Sequence, residues 1–125
     1  MPPITVLVVD AAEPIRHDLR GILRSASHID VVGESASGVD AVLQAEKLRP
    51  DVVLIDAAIA EAGDCDPCRR IRELVPESKF LFLLTYEEQL DTGLAARADG
   101  YWLKDGGRDA LVQAIRSAAP REPGA

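Results

Sequence analysis

The sequence predicts an α/β fold, a doubly wound five-stranded parallel sheet covered by helices in a three-layer αβα sandwich. Five short apolar segments alternate with segments that carry apolar residues at helical spacing, and the connections between them are short. The apolar runs are unbroken, as in strands buried on both faces of a parallel sheet. Because five such units cannot close an eight-stranded barrel, we expect an open sheet with the flavodoxin-like strand order 2-1-3-4-5.

The strands and the first helices follow from these patterns. The predicted strands cover residues 4–9, 30–34, 52–55, 79–84 and 100–103. The first helix follows strand one directly. Ser37 is expected to open the second helix, with Asp40 three residues later as in a capping box. Pro50 ends that helix, because the residue before a proline is disfavoured in the helical conformation.

The remaining elements are predicted from turn and cap residues. A loop over 57–64 leads to the third helix, which should end before Pro76. A short helical stretch is expected near residues 88–98. Asp105 can cap the last helix by accepting a hydrogen bond from a backbone N–H of its first turn.

Length and composition indicate a single soluble domain over residues 1–119, with 120–125 as a tail or the start of a linker. A net charge of −7 without a basic patch argues against nucleic-acid contact by this domain itself. No apolar run approaches the ~20 residues that span a bilayer, and the N-terminus does not resemble a signal peptide. We therefore expect a cytoplasmic protein without membrane contact.

Four apolar runs each end on a chemically active side chain. Strand one runs into Asp10, strand three into Asp56, strand four into Thr85 and strand five into Lys104. Ligands of open α/β sheets bind outside the carboxyl ends of the strands, where the strand order reverses. The four side chains are therefore expected to converge at one edge of the sheet, with the two carboxylates as neighbours.

Two neighbouring carboxylates repel each other unless a cation lies between them. Oxygen ligands at an open edge suit Mg²⁺, which binds one or two carboxylates and keeps positions for water and a phosphate. A lysine and a threonine beside them would bind further phosphate oxygens. The set of residues therefore indicates phosphoryl transfer onto a carboxylate.

The chain resembles the receiver domains of bacterial two-component response regulators, the CheY-like domains, and most of all those that precede a LuxR-type helix-turn-helix output domain. The matching stretches are VLVVD, PDVVLID, LLT and ADGYWLKD, which stand in the family's order and spacing, and SASGVDAV also fits. The resemblance covers residues 4 to about 119. It implies a signalling domain, not an enzyme beyond self-catalysed phosphoryl transfer and dephosphorylation.

The resemblance also assigns roles to the site residues. Asp56 would be the phosphoacceptor, and Asp10, Asp56 and the backbone carbonyl of Ala58 would bind Mg²⁺. Thr85 and Lys104 would contact the phosphoryl group.

A switch and a set of partners are implied as well. Thr85 and Tyr101 would form the conformational switch, with the rotamer of the tyrosine reporting activation. The implied partners are a histidine kinase or another signalling protein, with homodimerisation as an option. An output domain outside this sequence could bind DNA.

The chain departs from the family's pattern around the site. Ala11 stands where the family usually has a second acidic residue that binds the metal, so Mg²⁺ should be weak. Tyr86 replaces a small residue and could block the site above Asp56. Ile59 and Ala60 replace a Met-Pro pair.

Two further departures concern the third and fourth helices. Asp64 stands where the family has a glycine at the start of the third helix. The segment after Thr85 is short by ~3 residues, about one helical turn. The metal, the access to the site and the switch are thus affected, whereas the apolar pattern of the fold is kept.

Three interpretations stay open. The first is a receiver domain with weakened Mg²⁺ and phosphorylation chemistry that acts through protein–protein contacts, and the second is a fully phosphorylation-competent switch. The third is a flavodoxin-like redox or ligand module that uses Cys65 and Cys68. Against the third, Cys65, Cys68, Ile71 and Val75 share one helical face, and free cysteine commonly behaves as a small buried hydrophobe.

Overall fold

The computed structural model describes residues 2–61, 66–92 and 98–119. The strands are β1 Ile4–Val9, β2 Ile29–Ser35, β3 Val52–Asp56, β4 Lys79–Leu84 and β5 Gly100–Leu103. The helices are α1 Glu13–Arg24, α2 Gly38–Leu48, α3 Ala57–Ala60, α4 Pro67–Leu74 and α5 Arg108–Ala118, with a 3-10 helix over Glu87–Thr92. Within the described residues, no helix is both long and apolar enough to cross a membrane.

The five strands form one parallel sheet in the order β2-β1-β3-β4-β5, which confirms the predicted topology. In the pairing of β1 with β3, Val9 lies opposite Ile55, so the residues that follow these two are neighbours at the carboxyl edge. Leu84 of β4 pairs with Leu103 of β5 in the same way. The register of the sheet therefore brings the predicted site residues to one edge.

Both faces of the sheet are buried, as the unbroken apolar runs predict. Leu7 and Val9 belong to one hydrophobic cluster with residues of α2 and α4, whereas Val6 and Val8 belong to a second cluster with residues of α1 and α5. Alternate side chains of a strand point to opposite faces, so a strand covered on both sides needs apolar residues throughout.

The fourth helix places its apolar face in the core. Cys68, Ile71 and Val75 are fully buried there, as predicted, and α4 ends at Leu74, before Pro76. Cys65, the other half of the C-x-x-C motif, lies outside the described residues.

The helix caps are predicted correctly at α2 and incorrectly at α5. The Ser37 hydroxyl accepts a hydrogen bond from the Asp40 N–H at 3.1 Å. The prediction that Asp105 caps the last helix is wrong, because the turn after β5 extends further. The Gly106 N–H bonds back to the Leu103 carbonyl at 2.7 Å, and Gly107 is the cap residue with φ 87°, a conformation that glycine adopts without strain.

Two predicted segments differ in detail. The predicted loop over 57–64 begins instead with α3, because Ala57 and Ala60 are buried against the core and alanine is the best helix former. The helical stretch predicted near residues 88–98 is a 3-10 helix over Glu87–Thr92, and residues 93–97 lie outside the described part. Asp64 and the tail 120–125 also lie outside it.

Candidate functional site

Three of the four strand-end side chains meet at the carboxyl edge of the sheet. The Lys104 Nζ lies 2.7 Å from Asp56 Oδ1 and 2.9 Å from Asp10 Oδ2, so one ammonium bridges both carboxylates. The side chains of Asp10, Asp56 and Lys104 are 4%, 13% and 21% exposed. The lysine thus offsets the repulsion between two carboxylates that water reaches only in part.

Asp10 is held on three sides by neighbouring groups. Its N–H donates to the Ser35 carbonyl at 3.0 Å, and its Oδ1 accepts from the Ala12 N–H at 2.9 Å. Its backbone carbonyl accepts a hydrogen bond from Arg16 Nη1. Its Oδ2 is buried, and among the described residues only the Lys104 ammonium approaches it. The Lys104 ammonium is therefore the group that compensates the charge of this oxygen.

Asp56 ends β3 and stands at the cap position of α3 without using its carboxylate as a cap. Its backbone pairs with Leu83 of β4. Its side chain is more exposed than that of Asp10. Asp56 is therefore the carboxylate of the pair that a molecule from solution reaches more easily.

Lys104 is fixed at both of its ends. Its backbone N–H donates to the Leu84 carbonyl at 2.9 Å, and its ammonium bonds to Asp56 and Asp10. Burial opposes the charge, but the hydrogen bonds to Asp56 and Asp10 and their negative charges outweigh it and raise the pKa of Lys104 above its usual value. The lysine is therefore charged throughout the physiological range.

The raised pKa of Lys104 gives a stability that is lost at alkaline pH. A group whose pKa is higher in the folded state stabilises fully below its unfolded pKa of 10.5, and its contribution disappears as the pH rises through the folded value. We expect the difference in unfolding free energy between the wild type and Lys104→Met to be constant up to about pH 10 and to shrink above it. Urea unfolding across this range measures it.

The exposed Lys47 provides the control for that experiment, because Lys47→Met removes an equal charge without a carboxylate partner at the site. Its difference from the wild type should not follow the same curve. A Lys104 difference that stays constant to about pH 12 would contradict the ion pair as the source of the stability.

The loop after β4 carries Thr85 and Tyr86, and both residues are exposed. Their backbone N–H groups donate to the same Gln89 Oε1, at 2.7 and 3.0 Å. The Gln89 side chain, in the 3-10 helix, thus binds the backbone of the loop. The ring of Tyr86 is 66% exposed, so the core does not fix its position. A contact of Thr85 with a phosphoryl group and a block by Tyr86 stay predictions.

Comparison with known proteins identifies the family. The model of the response regulator receiver domain matches residues 6–116. The chain belongs to the response regulator receiver domain family. It is 33% identical over 122 residues to the response regulator protein VraR of Staphylococcus saprophyticus, and 31% identical over 121 residues to the uncharacterized transcriptional regulatory protein YxjL of Bacillus subtilis.

Those alignments cover 96% and 95% of this chain but 58% and 56% of the two relatives, so the chain spans somewhat more than half of their length. Solved structures share the fold. The response regulator domain of Thermotoga maritima CheB has a TM-score of 0.80 at 27% identity, covering 97% of this chain and 99% of that one. A LuxR-family response regulator from Aurantimonas has a TM-score of 0.81 at 23% identity, covering 92% and 84%.

Receiver domains typically bind Mg²⁺, and the donor atoms here fit this ion in part. Asp10 Oδ2 and the Asp56 carboxylate are oxygen atoms of the kind that Mg²⁺ prefers, at the carboxyl edge of the sheet, and Ala58, in α3, is the residue whose carbonyl is predicted to join them. Ala11 is exposed and supplies no ligand, and Glu13 is exposed in the first turn of α1. No group of three or more His, Cys, Asp or Glu that could hold a metal occurs in the part of the chain that the structure describes.

The two aromatic residues of β5 have different environments in this receiver domain. Trp102 is 6% exposed and belongs to the core, where its Nε1 donates to the Gly107 carbonyl at 3.1 Å. Tyr101 is 52% exposed, on the other face of the strand. Tyr101 is therefore the one that can change its rotamer without repacking the core, and its role as a switch stays a prediction.

Sequence reasoning missed the residues that hold the backbone of Asp10. Arg16 in α1 and Glu34 in β2 form an ion pair, with Nε 3.3 Å from Oε1. Charged residues on an amphipathic helix usually face water, so the pattern gave no reason to single out Arg16. The one available signal is its place about one turn into the helix that follows Asp10 directly.

Proposed function

We propose that this receiver domain accepts a phosphoryl group on Asp56, with weakened Mg²⁺ binding and phosphorylation chemistry, and that it acts through contacts with other proteins. The observation that supports the weakening is the exposed methyl group of Ala11 in the loop between β1 and α1. With alanine at position 11, the acidic side chain of this loop that contacts Lys104 is Asp10. Each ionised ligand adds to the affinity of a Mg²⁺ site.

The chemistry proposed for Asp56 is a nucleophilic displacement at phosphorus. A carboxylate oxygen of Asp56 forms a bond to phosphorus while the bond to the leaving group of the donor breaks. When bound, Mg²⁺ would neutralise negative charge between the carboxylates and the phosphoryl oxygens. Lys104, 2.7 Å from Asp56 Oδ1, would bind a phosphoryl oxygen, and Thr85 at the next strand end would bind another.

The Lys104 ammonium also makes Mg²⁺ binding less favourable. It already lies 2.9 Å from Asp10 Oδ2, which is the buried oxygen that a divalent cation would use. A cation that enters must share or displace this contact, and repulsion between the two positive charges opposes its binding. The lysine and the missing acid at position 11 therefore act in the same direction.

Introducing the missing acid should strengthen the metal site. We expect Ala11→Asp to raise the affinity for Mg²⁺ about tenfold or more, because a third carboxylate joins those of Asp10 and Asp56. Isothermal titration calorimetry with Mg²⁺ measures it. Ala12→Asp is the matched control, since it adds the same charge one residue later, at the cap position of α1. Equal gains in both variants would indicate a general effect of charge and contradict a missing ligand.

A fully phosphorylation-competent receiver is the second candidate function. The arrangement of Asp10, Asp56 and Lys104 favours it. The Lys104 Nζ lies 2.7 Å from Asp56 Oδ1 and 2.9 Å from Asp10 Oδ2, which are ordinary distances for charge-assisted hydrogen bonds. Incubation of the wild type with acetyl phosphate or beryllofluoride at an ordinary Mg²⁺ concentration, one that would leave a weakened site largely empty, separates the two. Stoichiometric modification would establish the competent switch and end the proposal of weakened chemistry.

The partners proposed here are those expected of the family. Receiver domains interact with histidine kinases and often accompany DNA-binding output domains. For this chain we propose a histidine kinase or another signalling protein as partner, a cytoplasmic location, and no DNA contact by the domain itself. The net charge of −7 supports the last point. The redox module is disfavoured by Cys68, which is fully buried in the core.

A further inference from the structure

The main chain at Asp10 is anchored by a cluster of charged side chains that lies outside the phosphorylation site. Arg16 Nη1 donates to the carbonyl oxygen of Asp10. The same guanidinium pairs through Nε with Glu34 Oε1 at 3.3 Å, and Glu34 Oε2 pairs with Arg20 Nη1 at 2.9 Å. The side chains of Arg16 and Glu34 are 15% and 26% exposed, so this cluster is partly shielded from water.

Glu34 itself is fixed on β2. Its backbone pairs in register with Val8 of β1, and its carbonyl accepts a hydrogen bond from Gln44 Nε2 of α2. A planar guanidinium that is held by a fixed carboxylate has few orientations left. The contact with the Asp10 carbonyl is therefore set by α1 and β2 together, and not by the loop that connects β1 to α1.

We infer that Arg16 is a positioning residue for Asp10, and that Glu34 holds Arg16 in place. Arg16 does not touch the carboxylate that would bind Mg²⁺. It fixes the carbonyl of the same residue, while the side chain bonds to the Ala12 N–H through Oδ1 and contacts Lys104 through Oδ2. The effect of this positioning on Mg²⁺ binding rests on the proposed function. The exact position of Oδ2 is important only if Asp10 is the acidic ligand that follows β1.

A misplaced Asp10 should reduce Mg²⁺ binding more here than in a site that has two acidic residues after β1. With Ala11 exposed and without a ligand atom in its side chain, an error in the orientation of Asp10 is not compensated by a neighbour. Mg²⁺ demands near-ideal geometry, so a displaced oxygen reduces its binding strongly.

The electrostatic effect of Arg16 has the opposite sign, which makes the inference testable. Removing a positive charge near a cation site should strengthen Mg²⁺ binding. Loss of positioning should weaken it. Arg20 is the matched control, because it carries the same charge and pairs with the same Glu34 carboxylate, and its side chain also contacts His17 but forms no bond with the Asp10 carbonyl.

The experiment compares Arg16→Met, Arg16→Lys and Arg20→Met with the wild type. Methionine keeps the apolar stem of the arginine, which limits damage to the packing of α1. The first readout is the exchange rate of the Ala12 amide by NMR, which needs neither metal nor phosphorylation. Arg16→Met should speed this exchange about five- to tenfold while core amides of β3 stay unchanged, because the hydrogen bond from Ala12 to Asp10 is loosened.

The second readout is the affinity for Mg²⁺ by calorimetry. Arg16→Met should weaken it about five- to tenfold, Arg16→Lys should restore part of the loss, and Arg20→Met should leave it unchanged or slightly stronger. An Ala12 exchange rate that equals that of the wild type in Arg16→Met would overturn the inference. So would stronger Mg²⁺ binding in both Met variants, because that result follows from charge alone.

The two readouts also separate this inference from the proposed function. If the wild type is not labelled on Asp56, the proposed function fails, and the Ala12 amide still decides whether Arg16 positions Asp10. If the wild type is labelled and the Ala12 amide does not respond to Arg16→Met, the function stands and the positioning role is wrong.

Discussion

Asp56→Asn should abolish modification of the chain by acetyl phosphate. An amide does not form the acyl phosphate that a carboxylate forms, and Asp10 is 3% exposed and its Oδ1 is already bonded to the Ala12 N–H. The variant should fold normally, because it replaces one of two repelling carboxylates by a neutral group of the same shape. Intact mass spectrometry at increasing Mg²⁺ concentrations measures the modification.

Asp109→Asn is the matched control, since this carboxylate in α5 has a 98% exposed side chain and pairs with Arg108, not with Lys104. Asp109→Asn should be modified to the same extent as the wild type. Modification that persists in Asp56→Asn would place the acceptor on another residue. Beryllofluoride binding provides a second measurement, because it mimics the phosphoryl group and does not require a reactive donor.

Replacing Lys104 by methionine should destabilise the fold by about 1–3 kcal/mol at neutral pH. Removing one partner of a buried ion pair leaves the other charges without compensation, and here two carboxylates would face each other. The estimate lies below the range for fully buried pairs, because the lysine side chain is 21% exposed and water screens part of the interaction. Urea unfolding monitored by circular dichroism measures the loss.

The double variant Lys104→Met with Asp10→Asn tests the cause of that loss. If repulsion between the carboxylates is responsible, neutralising Asp10 should recover most of the stability, and a double-mutant cycle gives the coupling directly. Added Mg²⁺ should also stabilise Lys104→Met more than the wild type, because it no longer competes with the ammonium. Lys104→Met with the stability of the wild type would contradict the bridge as a structural element.

The sequence was sufficient to predict the sheet and the convergence of Asp10, Asp56 and Lys104. The unbroken runs VLVV and VVLI, which alternate with segments of helical periodicity, are typical of strands buried on both faces, and parallel strands end at a common edge. The cap by Ser37 was also predictable, since its side chain and the backbone of Asp40 interact locally. These features depend on short-range chemistry or on a single periodicity.

The features that could not be predicted depend on tertiary contacts or on backbone geometry. Helix α3 forms because the core buries Ala57 and Ala60, which four residues of sequence do not reveal. Aspartate is a common cap residue, which favoured Asp105. The turn after β5 includes that position, however, so the cap residue of α5 is Gly107. Arg16 reaches the Asp10 carbonyl only because β2 brings Glu34 beside it.

Trp102 gives the domain an intrinsic fluorescent reporter. It is the only tryptophan in the sequence, and it is buried between the sheet and α5 two residues before Lys104. Its indole N–H is tied to the Gly107 carbonyl, and Gly106 lies so close that a Cβ there would stand 3.0 Å from Nε1. Any movement of Lys104 that shifts this turn should change the fluorescence emission of Trp102. Binding of a ligand at the carboxyl edge of the sheet can therefore be followed by the intrinsic fluorescence of the unlabelled chain.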